Sequence, residues 1–129
     1  MKDEKLIKLA IKARENAYAP YSNFKVGACV LCKSGKVYCG CNVENASFGS
    51  TNCAERTAIF SAIASGEREF DAIAIVGSNP NDYAYPCGMC RQVLSEFGDL
   101  KIIVAKTEND FKVFRLSELF PNGFDKSKM

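Results

Sequence analysis

Histidine is absent from this 129-residue chain, which removes the commonest general base near neutral pH and every imidazole metal ligand. Carboxylates and cysteines must carry any acid–base or metal chemistry. Long apolar runs are missing too: none approaches the ~20 residues that a bilayer-spanning helix needs, so no membrane segment is expected. Lys and Arg form no run. The formal net charge of +2 is dispersed along the chain, whereas a protein that neutralises phosphates usually gathers its basic residues into a patch, so nucleic acid is not an expected partner. No internal repeat, low-complexity stretch or linker divides the sequence. With 47% hydrophobic and 25% charged residues, one globular domain over 1–129 is expected, with about 125–129 as a loose tail. Met1 to Lys5 is charged and is not followed by a signal-type apolar block, so the expected location is the cytoplasm. In that compartment seven cysteines, an odd number, read as thiols, metal ligands or core residues rather than as a disulfide framework.

What is present has clear periodicity. Leu6, Ile7, Leu9, Ala10, Ala13 and Ala17 recur at helical spacing, predicting an amphipathic helix from about Asp3 to Tyr18 that Pro20 closes. Phe24 to Cys32 and Val37 to Asn42 read as two strands of a hairpin around Lys33-Ser34-Gly35-Lys36. Ala54 to Ala64 reads as a buried helix ended by Ser65-Gly66, Phe70 to Val76 as a central strand, and Cys87 or Gly88 to Phe97 as a further helix. Lys101 to Ala105 and Phe111 to Phe114 are strands whose short connection forces an antiparallel pair, and Leu116 to Leu119 is a helical turn. The order α-β-β-α-β-α-β-β predicts an α/β protein: a three-layer α/β/α architecture with one mixed five-stranded sheet.

Two short segments concentrate the chemistry. Cys53-Ala54-Glu55-Arg56 opens one predicted helix, and Pro86-Cys87-Gly88-Met89-Cys90 opens another. Helix N-termini stabilise anions, and a two-residue gap within a tight turn lets two sulfurs face one ion. Cys53, Cys87 and Cys90 are therefore candidate ligands of one Zn²⁺ per chain, with an open fourth position for water. Glu55 is the candidate general acid and base. Arg56, three residues after Cys53, is placed to donate hydrogen bonds to a sulfur and moderate the thiolate charge. Cys29, Cys32, Cys39 and Cys41 form a rival cluster. Cys29 and Cys32 fall within a strand, where odd spacing sends side chains to opposite faces, so the four read as core or surface filling.

Cys53-Ala54-Glu55 with Pro86-Cys87-Gly88-Met89-Cys90 resembles the zinc-dependent deaminase signature. Along nearly its whole length the chain resembles the small, homotetrameric cytidine deaminases. Tyr18-Ala19-Pro20-Tyr21-Ser22, Phe24-Lys25-Val26-Gly27-Ala28, Asn42-Val43-Glu44-Asn45-Ala46-Ser47, Cys90-Arg91-Gln92-Val93-Leu94 and the Leu119-Phe120-Pro121…Phe124 tail carry that likeness. The resemblance implies the cytidine deaminase-like fold and hydrolytic deamination of cytidine and deoxycytidine in pyrimidine salvage. Glu55 would pass protons from the activated water to N3 and the leaving amine. It also implies that Asn42 and Glu44 bind the ribose hydroxyls, that Phe24 packs on the pyrimidine, and that backbone groups of Cys53 and Ala54 read the base edge. Phe124 would stack in a neighbouring subunit's site within a homotetramer. Phe48 stands where many relatives carry tyrosine, so a hydroxyl contact there is absent. An antibiotic deaminase acting on blasticidin S, a nucleic-acid deaminase and a non-enzymatic zinc module are the rival functions. Asn42-Val43-Glu44-Asn45 favours ribose recognition over the first. The short loop before Phe111 disfavours the second, and Glu55 would have no task in the third.

Overall fold

The computed structural model describes residues 1–129. Its frame is a five-stranded mixed sheet in which β1 (Val26–Cys32), β2 (Val37–Cys41), β3 (Phe70–Gly77), β4 (Lys101–Thr107) and β5 (Asp110–Arg115) lie in the order β2-β1-β3-β4-β5. Only β3 and β4 are parallel. The other three pairings are antiparallel, including β4 with β5, as the short connection between them requires.

Side-chain alternation divides the core between two faces. Cys29, Ala74, Val76, Ile103 and Ala105 face α1 (Asp3–Arg14), which contributes Leu6, Ile7 and Ala10. Ala28, Val30, Ile73, Ile75, Ile102 and Val104 face the opposite way, toward Ala58 and Ile59 of α2 (Ala54–Ala64) and Leu94 of α3 (Gly88–Ser95). α4 (Leu116–Leu119) follows β5 and packs on α3. The central strands are covered on both faces, which is why β3 reads as a continuous apolar run. None of the helices is long and apolar enough to cross a membrane.

α1 ends at Arg14, short of the predicted Tyr18. The amphipathic pattern continues, but the Tyr18 backbone is diverted into tertiary bonds. Its N–H donates to the Asn42 carbonyl (3.0 Å), and its carbonyl accepts from Glu44 N–H (2.8 Å). Those bonds tie the segment after α1 to the segment after β2, and both approach the site described below.

The four hairpin cysteines require a correction. Cys29 and Cys32 do face opposite sides of the sheet. Cys29, however, stands directly opposite Cys39 in the β1–β2 register, with Cα atoms 4.0 Å apart, and the two form a disulfide. Composition and spacing read these four as core or surface filling rather than as disulfide partners. Pairing register, which composition does not express, brought these two together.

Candidate active site

Cys53 is the N-cap of α2 and Cys87 the N-cap of α3, with Cys90 in the first turn of α3. The two helix starts converge, leaving Cys53 Sγ 3.7 Å from Cys87 Sγ and Cys87 Sγ 3.5 Å from Cys90 Sγ. All three sulfurs lie within 4.8 Å of one another. With Zn–S bonds of ~2.3 Å, a tetrahedron places its sulfurs about 3.8 Å apart, so the triangle fits zinc. The separations are far too long for disulfides, which need about 2.05 Å.

The surroundings prepare this triangle for a cation. Arg56 Nη2 donates to Cys53 Sγ at 3.2 Å. The neighbouring Cys90 thiol, and then that guanidinium, bring the Cys53 thiol down to about 5 against the opposing effect of burial. Cys90 is held high by the neighbouring Cys53 sulfur, by burial, and by the nearby Glu55 carboxylate. Burial alone would depress Arg56, but the bond to Cys53 and the nearby Cys90 sulfur outweigh it and hold the guanidinium above its ordinary value. Arg56 Nε is buried without a partner. Three sulfurs sharing protons and one fixed cation form a donor set that gains ionised sulfurs when a metal displaces those protons.

Glu55 sits in the first turn of α2 and is only 4% exposed. Burial first, and then the negative Cys53 sulfur, push its carboxyl up to about 7, although its own backbone N–H opposes the shift. A carboxyl near neutrality can both take and return a proton at physiological pH.

Glu55, Cys53 and Cys87 border a cavity of about 230 Å³, with Cys90 buried behind them. Phe24, Asn42 and Ala54 line it together with Cys53 and Cys87, so the structure gathers most of the sequence-predicted residues around one space. Asn42, 8% exposed, is already engaged: Val26 N–H donates to Oδ1 at 2.9 Å, and Nδ2 donates to the Phe24 carbonyl at 2.8 Å. One Oδ1 lone pair and one Nδ2 hydrogen remain. Glu44 does not enter this cavity. It lines an adjoining one with Tyr21, Ser22 and Phe48, and Thr51 forms the shared wall. Its carboxylate accepts from Tyr21 N–H (2.9 Å), Ser22 N–H (3.1 Å) and the Ser22 hydroxyl. Those bonds, the hydroxyl's foremost, hold its pKa below the ordinary carboxylate value.

Phe124 lies apart from this chain's own site. Its carbonyl accepts from Gln92 Nε2 at 2.9 Å, and it borders a separate cavity of about 380 Å³ beside Phe120 and Ser95. Sequence reasoning missed Val26, Thr51, Ile75, Ala84 and Tyr85 as lining residues. Ile75 reads only as core, and the three loop residues carry no motif. Tyr83, next to Ala84, donates to Asp110 Oδ1 at 2.5 Å, while Tyr85 packs against Phe114 with ring centroids 5.7 Å apart. The segment before Cys87 is thereby held to β5.

On this α/β frame, three sulfurs from two helix starts are placed to hold a metal ion beside a buried acid. Residues 1–106 match the model of the cytidine and deoxycytidylate deaminase zinc-binding region. The cytidine deaminase of Halalkalibacterium halodurans is 47% identical, with 100% of this chain and 98% of that protein covered. That of Sporosarcina psychrophila is 44% identical, covering 98% and 93%. Among solved structures, the cytidine deaminase from Burkholderia pseudomallei superposes with a TM-score of 0.91 at 51% identity, covering 96% of this chain and 100% of that one. The chain belongs to the zinc-binding cytidine and deoxycytidylate deaminase family.

Proposed function

We propose that this chain deaminates free cytidine and deoxycytidine by hydrolysis, releasing uridine or deoxyuridine and ammonia. One observation carries the reading: a buried carboxyl adjoins three converging sulfurs, and it lines a nucleoside-scale cavity together with two of them, Cys53 and Cys87. Cys53, Cys87 and Cys90 would hold zinc, which when bound would supply a Lewis acid that makes water nucleophilic at neutral pH. Glu55 is the proton carrier. Its carboxylate takes a proton from the attacking water and delivers it to the pyrimidine N3, then takes the second proton from the hydroxyl newly bonded to C4 and delivers it to the amine, so that the C4–N bond breaks, ammonia leaves and a C4 carbonyl remains. Arg56 holds Cys53 as a thiolate through the 3.2 Å hydrogen bond. The apolar walls limit access of bulk water and so strengthen each charge interaction inside.

Substrate selection falls to the two adjoining cavities. Phe24 packs on the base, and the backbone of Cys53 and Ala54 reads its edge. Asn42 uses its remaining hydrogen-bonding capacity on the ribose, whose far side reaches Glu44. The Glu44 carboxylate, fixed by three donors from Tyr21 and Ser22, accepts from a sugar hydroxyl. Neither cavity is lined by a Lys or Arg, which suits an uncharged nucleoside better than a phosphate chain.

The chain acts in the cytoplasm in pyrimidine salvage, as a homotetramer with sites at subunit interfaces. Phe124, 59% exposed and away from its own chain's cavity, is available to a neighbour's. Sedimentation at assay concentration checks the assembly, and a monomer would remove the role given to Phe124. Turnover of cytidine, deoxycytidine, a cytosine-containing oligonucleotide and blasticidin S tests the substrate. Reaction of the two nucleosides alone is expected. Turnover of only the oligonucleotide or only the antibiotic would overturn the reading.

A further inference from the structure

Phe24 closes one side of the cavity above Glu55, and Gly77 lies directly behind its ring. A Cβ at Gly77 would stand 2.6 Å from Phe24 Cζ, 3.1 Å from Cε1 and 3.2 Å from Ala84 Cβ. Carbon atoms pack favourably at about 3.5–4.0 Å, so no side chain fits at position 77 while the ring keeps its place. Backbone conformation does not explain the glycine. Gly77 pairs regularly with Val26 at the end of β3 and is not among the positive-φ glycines. Glycine inside a strand otherwise weakens it, and it characteristically marks a close approach by another group. Here that group is the aromatic ring.

The backbones on both sides of this contact are anchored. The Gly77 carbonyl accepts from Arg14 Nη1 at 2.6 Å, the Phe24 carbonyl accepts from Asn42 Nδ2 at 2.8 Å, and Lys25 N–H donates to Ser78 Oγ at 3.0 Å. The ring itself is 39% exposed. Anything added at Gly77 will therefore move the ring more readily than the chain.

We propose that Gly77 is a positioning residue for the substrate. Its bare Cα is the seat in which the Phe24 ring lies back against the end of β3, and that seat keeps the cavity wide enough for a pyrimidine. A Cβ there displaces the ring into the space the base occupies or out toward solvent, and binding suffers in either case. The inference rests on Phe24 packing against the base.

Steady-state kinetics with cytidine on zinc-loaded Gly77→Ala, Phe24→Ala and the double variant, with thermal unfolding of each, separate the possibilities. Gly77→Ala is expected to raise KM about tenfold with kcat within about threefold, because it removes binding rather than chemistry. Phe24→Ala raises KM by itself. In its background Gly77→Ala should change KM less than about twofold, since no ring remains to be displaced. An unchanged KM in Gly77→Ala beside a raised KM in Phe24→Ala would overturn the seat while leaving Phe24's role standing. An equal loss in both backgrounds would also overturn it. An unchanged KM in Phe24→Ala would instead overturn the reading of Phe24 on which the seat rests. If Gly77→Ala does not fold, recovery of a folded double variant supports the clash, and failure of both beside a folded Phe24→Ala refutes it.

Discussion

The chain contains the spacing Cys-x-x-Cys twice, and the two copies end in opposite chemical states. In β1, Cys29 and Cys32 point to opposite faces of the sheet, since strand side chains alternate. Cys32 is then pushed up to about 11, chiefly by burial and next by Glu67. Cys29 is tied across the hairpin to Cys39. At the start of α3, Cys87 and Cys90 converge within 3.5 Å, and Cys53 arrives from a second helix start with its thiol drawn down to about 5. The same residue spacing gives an inert pair on a strand and a metal-ready pair on a helical turn. Backbone geometry decides whether the sulfurs meet, and the local charges decide whether they ionise.

Zinc stoichiometry gives the largest effect with which to break this contrast. By metal analysis, Cys87→Ser should fall from one zinc per chain to nearly none, because no other thiol can complete the triangle. Cys29→Ser should retain its zinc, and loss of metal from that variant would make the hairpin cysteines part of the site. Glu55→Gln comes next. It should keep its zinc and fold while cytidine turnover drops by roughly 10²–10⁴, the usual contribution of a positioned acid–base group. Turnover near the wild-type rate would remove Glu55 from the mechanism.

A third prediction concerns pH. Burial raises the folded pKa of Glu55 from 4.5 to about 7. Its contribution to stability is therefore complete below pH 4.5 and is lost as pH climbs through 7, on the order of 3 kcal/mol. In zinc-free protein, urea unfolding should show Glu55→Gln gaining that amount relative to wild type between pH 4.5 and about 8. Parallel pH profiles would mean that the carboxyl is not desolvated. The smallest effect is expected from Arg56→Gln. Competition with a chelator should show zinc affinity about 10–100-fold lower, as is typical when a group that supports a metal ligand is removed. An unchanged affinity would assign the low Cys53 thiol to its sulfur neighbours alone.

Much of this was legible in the residues. Apolar periodicity located every strand and helix that builds the sheet, and the short Thr107–Asp110 connection foretold the antiparallel β4–β5 pair. Cys53, Glu55, Arg56, Cys87 and Cys90 were readable because their spacing on helix starts is itself a local geometry. The Cys29–Cys39 pairing was not, since it depends on which residues of two strands stand opposite one another. Ala84 and Tyr85 escaped notice for a related reason: their place in the cavity comes from the attachment of Tyr83 to Asp110 and of Tyr85 to Phe114, residues 27 and 29 positions away.

Local spacing already sets out the candidate groups: three thiols, an acid and a guanidinium, each within a few residues of a helix start, where backbone N–H groups favour negative charge. How those groups behave depends on packing across the whole chain. Burial at the meeting of two helices moves Glu55 toward neutrality, because a charge taken out of water is costly. Close approach between elements far apart in the chain sets the ring of Phe24 against Gly77. Neither desolvation nor steric exclusion has a local signature, since both depend on what the rest of the chain brings near.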